Sequence, residues 1–226
     1  MDHLFDVYLS EEPVPEVRRQ RWSTLALCLR DARRAAGRCV ETGEMLHPEF
    51  ATSWPGAMTY LSLLDQIGRA VRRTRLTATQ TQRAQIGGTN EKPFRAALLQ
   101  FTDLGDRRIS ALYALRCSYS HFFGLVNENH DQRLRHRFVL HADHGELVRF
   151  PPRPWDGSYP AHGGQRTKVG PVGTWIDLWT LADTVEEVVA DLRSRHTRGE
   201  IERGQIGQVA PSDDKFRDRF TVGIGH

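Results

Sequence analysis

The chain has 226 residues, of which 39% are hydrophobic and 26% are charged, and its formal net charge is +3. This composition is typical of a globular protein that buries one sizeable core, and it excludes a wholly disordered chain. No apolar run approaches the roughly 20 residues that a membrane-spanning helix needs. The first residues lack the basic and apolar regions of a secretory signal, so we expect a cytoplasmic protein without a membrane partner.

Cysteine and arginine usage narrow the functional classes further. Cys28, Cys39 and Cys117 are widely spaced and include no Cys-x-x-Cys pair, which fits a reducing compartment and argues against a cysteine-based zinc site. Only three of the 31 basic residues are lysines, which leaves 31 − 3 = 28 arginines. A GC-rich genome accounts for this bias, although arginine also binds phosphate in a bidentate fork and is compatible with RNA.

The first half of the chain is dominated by helical periodicity. Apolar residues recur at spacings of three and four, with arginines filling the polar face of the first segment. A polar, glycine-containing stretch at 74–90 interrupts the pattern and predicts a connection. Helices are predicted at 16–40, 56–73, 91–102 and 106–126.

The pattern changes after the fourth predicted helix. Two short runs of alternating residues in 137–150 flank the turn sequence Asp143 to Gly145, which predicts a β-hairpin. The following residues are rich in proline and glycine, with a further edge strand expected near 165–170. Together these features predict a β-rich insertion at about 137–173.

Helical periodicity returns strongly after the insertion. Six apolar residues step at intervals of three and four, and Thr174 with Asp177 resembles a capping box at the start. The stripe consists of Trp175, Leu178, Ala182, Val185, Val189 and Leu192. From Gly199 onward the chain is glycine-rich and mixed in charge, so 199–226 is predicted to be loose or docked on a partner.

These elements predict a mostly α protein. We expect a single domain over 1–198, built as an antiparallel helical bundle with a small β-hairpin insertion before the last long helix. This architecture positions one motif late in the bundle, on the predicted helix 106–126.

That helix contains the sequence Arg-Cys-Ser-Tyr-Ser-His, running from Arg116 to His121. Leucines precede the motif, and Phe122, Phe123 and Leu125 follow it, as expected of an amphipathic helix. Here the sequence resembles the HEPN superfamily, whose mark is an arginine, four to six residues, and a histidine late in a helical bundle. The resemblance is confined to the motif and its immediate helix.

The resemblance implies a HEPN-like helical bundle and a metal-independent endoribonuclease. Arg116 is then the phosphate clamp, and His121 transfers the proton when the ribose 2′-OH attacks the adjacent phosphate. It implies no cofactor and no metal. Families of this type pack two motif helices together, so we expect a homodimer with a composite RNA-cleaving site. A toxin or defence effector restrained by an inhibitor or antitoxin protein is compatible with the same resemblance.

Two features of the motif bear on catalysis. On a regular helix five residues rotate about 500°, so Arg116 and His121 lie about 140° apart, and a distortion or the reach of the arginine must bring them together. Active members commonly have a polar residue after the arginine, whereas this chain has Cys117. Cysteine is a weak hydrogen-bond partner, so the supporting contact is expected from Ser118 or Ser120, with Tyr119 beside them.

An alternative assignment is a non-catalytic HEPN-like module that binds a partner protein or nucleic acid. In that case Arg116 pairs with a carboxylate, for which Asp103, Asp106 and Glu128 are the candidates, and His121 is a structural residue. An open basic cleft favours the enzyme, whereas buried pairing with a carboxylate favours the module.

Other constellations in the sequence are weaker. His141, Asp143 and His144 resemble a metal cluster, but positions 141 and 144 of one strand point to opposite faces. The chain has no phosphate-binding loop and no Gly-x-Ser-x-Gly motif, which removes nucleotide hydrolases and serine hydrolases from contention.

Overall fold

The computed structural model describes residues 3–16, 19–73, 92–122, 124–131, 133–158, 172–203 and 212–225. Helices are the main elements of this part: α1 (His3–Leu9), α2 (Thr24–Ala35), α3 (Trp54–Ala70), α4 (Pro93–Phe101), α5 (Asp106–Phe122), α6 (Leu178–Thr197) and α7 (Asp213–Phe220), with a short 3-10 turn at Pro48–Phe50. The strands are β1 (Val14–Glu16), β2 (Arg19–Ser23), β3 (Val71–Arg73), β4 (Val126–Asn127), β5 (His136–His141), β6 (Val148–Arg149), β7 (Thr174–Asp177), β8 (Ile201–Arg203) and β9 (Thr221–Gly225). None of these helices is long and apolar enough to cross a membrane.

Helix α3 lies at the centre of the fold, in contact with α2, α4, α5 and α6. It begins after Ser53, whose hydroxyl accepts the Gly56 N–H, and Pro55 occupies its first turn. The apolar face predicted from the sequence is buried in the core at Tyr60, Leu61, Leu64, Ile67 and Val71. The predicted helices 56–73 and 91–102 are therefore confirmed as α3 and α4, with ends that differ by a few residues.

The predicted helix 16–40 is wrong in its first third. Residues Arg19–Ser23 form β2, and α2 begins only at Thr24, where the Ser23 hydroxyl accepts the Ala26 N–H at 3.2 Å. Strand β2 lies between β1 and β9 in an antiparallel sheet, so its second partner comes from the far end of the chain. A local periodicity carries no information about such a distant partner, and the arginine-rich segment was therefore predicted as helix.

The predicted hairpin at 137–150 is also wrong in its pairing. Strands form at both ends of this segment, and 143–145 is a bend, but β5 and β6 are not hydrogen-bonded to each other. Strand β7 lies between them in a sheet of order β4-β5-β7-β6, parallel to β5 and antiparallel to β6. Alternation predicts a strand but not its neighbour. The edge strand expected near 165–170 lies outside the described residues.

The last long helix begins later than the sequence predicts. Thr174 and Trp175 belong to β7, and α6 begins at Leu178 with Asp177 as its N-cap. From Leu178 onward the predicted apolar stripe is buried as far as Leu192. A β-branched residue and a tryptophan suit a strand, and the parallel pairing with β5 decides their conformation.

The C-terminal region differs from the predicted loose tail. Within its described residues, Phe216 and Phe220 are buried against Phe5 and Tyr8 in an aromatic cluster that joins α7 to α1. Strand β9 pairs with β2, and β8 pairs with β3. The two ends of the chain are thus joined through sheet and core. Residues 204–211 lie outside the described part.

The carboxylate of Asp177 connects three parts of the structure. Its side chain is fully buried; Oδ2 accepts the N–H groups of Asp143 at 3.0 Å and Gly145 at 2.9 Å, and Oδ1 accepts that of Thr180 at 2.9 Å. Burial alone raises the pKa of Asp177, but these hydrogen bonds and the nearby His141 hold the pKa below its usual value. One ionised side chain therefore caps α6 and fastens the bend that follows β5.

Replacing this carboxylate tests its structural role. We expect Asp177→Ala to lower the free energy of unfolding by about 2–4 kcal/mol, because a helix cap is lost and two loop N–H groups lose their acceptor. Urea unfolding measures the difference, with Glu187→Ala, an exposed position on the same helix, as the control. An Asp177→Ala protein as stable as that control contradicts the role.

The effect should also depend on pH. Because the pKa of Asp177 is lower in the folded chain than in the unfolded chain, its contribution is present at neutral pH. It is lost as the pH falls through the folded value, so the difference between wild type and Asp177→Ala should shrink in acid.

Candidate functional site on helix α5

Helix α5 is held in the core by one of its faces. Leu112 and Leu115 are completely buried, as are Ile109, Ala111 and Ala114 around them. This apolar surface packs against α3, α4 and strands of the mixed sheet. Because the helix is held in this rotation, the residues on its other side are directed toward the surface.

Arg116 lies on the outer side and is paired with a carboxylate. Its Nη2 donates to Oδ2 of Asp65, which is on α3. The arginine side chain is 26% exposed and the aspartate side chain is 15% exposed, so the pair is partly shielded from solvent. The partner is therefore a residue that the sequence analysis did not name, rather than Asp103, Asp106 or Glu128.

Cys117 and Tyr113 lie next to Arg116 on the same side of the helix. Burial and the neighbouring Cys117 thiol raise the pKa of Tyr113, while the charge of Arg116 lowers it. Both side chains are half-buried, and Ser120 one turn later is exposed. We call Tyr113, Arg116, Cys117 and Ser120 the outer face of α5.

Ser118 and Tyr119 face the opposite way. The Ser118 hydroxyl is fully buried, 3.0 Å from the carbonyl oxygen of Ala114 and 3.1 Å from that of Val126, and so connects α5 to β4. The Tyr119 ring is buried against Trp54, with the ring centroids 4.1 Å apart, and burial raises its pKa. Neither is positioned to support Arg116, so the expected contact from Ser118 is wrong and Tyr119 is a packing residue.

His121 belongs to the last turn of α5. Its side chain lies outside the described part of the structure, so the approach of Arg116 and His121 stays a prediction. Of the six residues singled out from the sequence, three share the outer face: Arg116, Cys117 and Ser120.

Two residues of the outer site were missed by sequence analysis. Tyr113 precedes Arg116 by one turn, so helical spacing could have identified it. Asp65 is a single carboxylate in an otherwise apolar stretch of α3, which is an unusual residue to bury without a cation. That signal marks Asp65 as paired, but it does not say with which arginine.

The weak metal cluster separates in the structure. His141 Nδ1 lies 3.1 Å from Asp143 and 3.4 Å from Asp177, whereas His144 Nε2 is 3.2 Å from Asp183. The described residues contain no group of three or more histidine, cysteine, aspartate or glutamate side chains arranged to hold a metal ion. These histidines pair instead with carboxylates at the carboxyl ends of β5 and β7.

Comparison with known proteins gives no relative for this arrangement: no family model, no curated protein and no solved structure matches the chain.

The pairing of Arg116 with Asp65 can be measured directly. We expect a double-mutant cycle of Arg116→Gln and Asp65→Asn to give a coupling energy of about 1 kcal/mol, because the pair is only partly shielded from water. Thermal or urea unfolding of the four proteins supplies the values, and the coupling should weaken as salt is added. A coupling energy near zero at low salt contradicts the observed pair.

Proposed function

We propose that this protein is a HEPN-type endoribonuclease that cleaves RNA without a metal ion and acts as a homodimer in the cytoplasm. The observation that supports the proposal is the outer face of α5. A helix held firmly by its apolar side presents Arg116, Cys117 and Ser120 toward the surface, and the same helix carries His121 in its last turn.

The chemistry needs few groups. In the proposed reaction His121 takes the proton from the ribose 2′-OH or protonates the leaving 5′-oxygen, as its ordinary pKa near neutrality allows. Arg116 stabilises the negative charge that develops on the phosphate oxygens. The products are one RNA ending in a 2′,3′-cyclic phosphate and one beginning with a 5′-hydroxyl.

Asp65 has a definite part in this proposal. It engages one guanidinium nitrogen, Nη2, and the described residues show no other hydrogen bond from Arg116. The remaining N–H donors are therefore available to a phosphate. A carboxylate on one side of the guanidinium restricts its direction, which is a positioning role, while it also weakens the attraction for an incoming anion.

The second candidate is a non-catalytic HEPN-like module that binds a protein or a nucleic acid. The specific observation in its favour is the same ion pair, since a guanidinium neutralised by Asp65 offers less charge to a transition state. Cys117 in place of a polar residue points the same way. A toxin or defence role with an inhibitor or antitoxin partner is part of the ribonuclease proposal and requires RNA cleavage.

Cleavage of mixed RNA by the purified protein tests the enzyme. We expect activity to survive EDTA, products to carry 2′,3′-cyclic phosphates, and a 2′-deoxyribose at the scissile position to block the reaction. His121→Ala should reduce the rate by roughly 10²–10⁴-fold, because a proton-transfer group is removed. Arg116→Ala should reduce it by roughly 10²–10³-fold through lost charge stabilisation.

The control for these variants is Arg34→Ala, which removes a charge from an exposed position on α2. Metal-dependent cleavage, or full activity in both site variants, contradicts the assignment. A folded wild-type dimer that cleaves no RNA favours the binding module. Asp65→Asn then separates the alternatives further: a positioning role predicts slower cleavage with unchanged RNA affinity, whereas a purely neutralising role predicts tighter RNA binding.

Assembly is a separate prediction. If the site is completed by a second copy, light scattering should give a homodimer at micromolar concentration. A charge inserted into the outer face, as in Ser120→Glu, should shift the protein toward monomer because like charges meet across the two-fold axis. Val222→Lys on the exposed side of β9 is the matched control, since Val222 is 41% exposed and distant in sequence from α5. Dissociation by Val222→Lys alone indicates a dimer through β9 and contradicts the composite site.

A further inference from the structure

A cavity of about 350 Å³ lies between the start of α5 and the four-stranded sheet. Its lining includes three arginines, Arg107, Arg133 and Arg135, and two aromatic residues, Phe150 and Trp155. The volume is within the range of small-molecule sites. None of the outer-face residues of α5 lines this cavity, which we call the arginine pocket.

Two of the arginines have cationic groups that are available to a ligand. The guanidinium carbon of Arg107 lies 3.9 Å from the centroid of the Phe150 ring, and no carboxylate pairs with this arginine among the described residues. Arg133 is 75% exposed and its nearest carboxylate, that of Asp131, is 3.7 Å away. A guanidinium stacked on an aromatic ring still directs its N–H groups outward in its own plane.

The third arginine is held in place by the backbone. Arg135 donates its Nε to the carbonyl oxygen of Asn129 and its Nη1 to that of Asp156, both at 3.1 Å. The acidic residue of the lining, Asp106, is paired with Arg95 at 2.7 Å, so its charge is already compensated. The pocket therefore has an excess of positive charge.

A buried histidine forms the floor of the pocket without adding charge. His136 Nε2 is 2.9 Å from the carbonyl oxygen of Arg133, which can only accept, so Nε2 carries the proton and Nδ1 accepts from the Thr174 hydroxyl. Burial lowers the pKa of His136, which keeps the ring neutral at physiological pH. The hydroxyl and the imidazole are satisfied within the protein, and the exposed arginines are the groups left for an anion.

We propose that the arginine pocket binds a nucleotide. Its phosphate contacts Arg107 and Arg133, and its base packs in the apolar part formed by Phe150, Pro151 and Trp155. Phosphate suits guanidinium because both present matched, fork-like hydrogen-bonding geometry. A flat base suits a cavity walled by an aromatic ring and by an arginine plane.

This site goes beyond the ribonuclease proposal. Nine residues separate Arg107 from Arg116, which is roughly 14 Å along a regular helix. The nucleotide comes either from an RNA strand that continues past the outer face or from a free mononucleotide. Binding at this site requires no cleavage, so it can be tested whether or not the protein is an enzyme.

Calorimetric titration of the full-length protein tests the proposal with four probes: adenosine 5′-monophosphate, adenosine, inorganic phosphate and a 2′-O-methylated RNA hexamer. The hexamer lacks the 2′-OH and is therefore not cleaved. We expect saturable binding of the monophosphate, with adenosine and phosphate alone each at least about tenfold weaker, because each makes half of the contacts. A hexamer that competes with the monophosphate and binds more tightly identifies an RNA strand as the source, whereas a hexamer that does not bind identifies a free nucleotide.

The double variant Arg107→Ala/Arg133→Ala should weaken binding of the monophosphate by roughly 10–100-fold, since two charge-assisted contacts are removed. Both residues are exposed, so the variant should unfold at the same temperature as wild type. Arg108→Ala is the matched control: it removes the same charge from the next position of α5, where the side chain pairs with Glu146 and does not line the pocket. Its affinity should stay within twofold of wild type, by the argument that it contacts no ligand.

Three results overturn the proposal. They are the absence of saturable binding by both the monophosphate and the hexamer, equal affinity in the double variant and in Arg108→Ala, and inorganic phosphate binding as tightly as the monophosphate. The last result shows an anion site that makes no use of the aromatic walls.

Discussion

Burial of the inner side of α5 is the constraint on which both candidate sites depend. Leu112 and Leu115 are wholly inside the core, and the Ser118 hydroxyl connects the same side to β4. A helix anchored along this much of its length cannot rotate without exposing apolar area, at a cost of about 25 cal/mol for each Å². The direction of Arg116 near its end and of Arg107 at its start follows from that packing.

The electrostatics of Arg116 determine which chemistry the outer face can perform. A guanidinium that is only 26% exposed loses part of its hydration, and Asp65 compensates for that loss. The same carboxylate competes with a phosphate for the cation. A substrate can win this competition only by adding contacts of its own, and an exposed serine, a cysteine and a second copy of the helix are the groups that the structure and the proposal offer for them.

The mixed sheet shows how one acidic residue organises a region of little regular structure. Strands β5 and β7 are parallel, and His141 is paired in register with Asp177 at their carboxyl ends. There the Asp177 carboxylate accepts N–H groups from the bend after β5 and from the first turn of α6. This geometry turns the residues that resembled a metal cluster into a structural connection, because the carboxylate already has hydrogen-bonded partners.

What the sequence determined by itself is the helical half of the protein. The period of apolar residues identified α3, α4 and the greater part of α6, and the motif helix α5, because amphipathic periodicity is a local property that burial then reinforces. Sequence also located Arg116, Cys117 and Ser120 on one helix. Only the tertiary structure decided strand order and pairing: β7 separates β5 from β6, and β9 reaches β2 across the whole chain. It also decided that Asp65, and no nearer acid, pairs with Arg116. Contacts between residues distant in sequence depend on how whole elements pack, and no spacing along the chain encodes that arrangement.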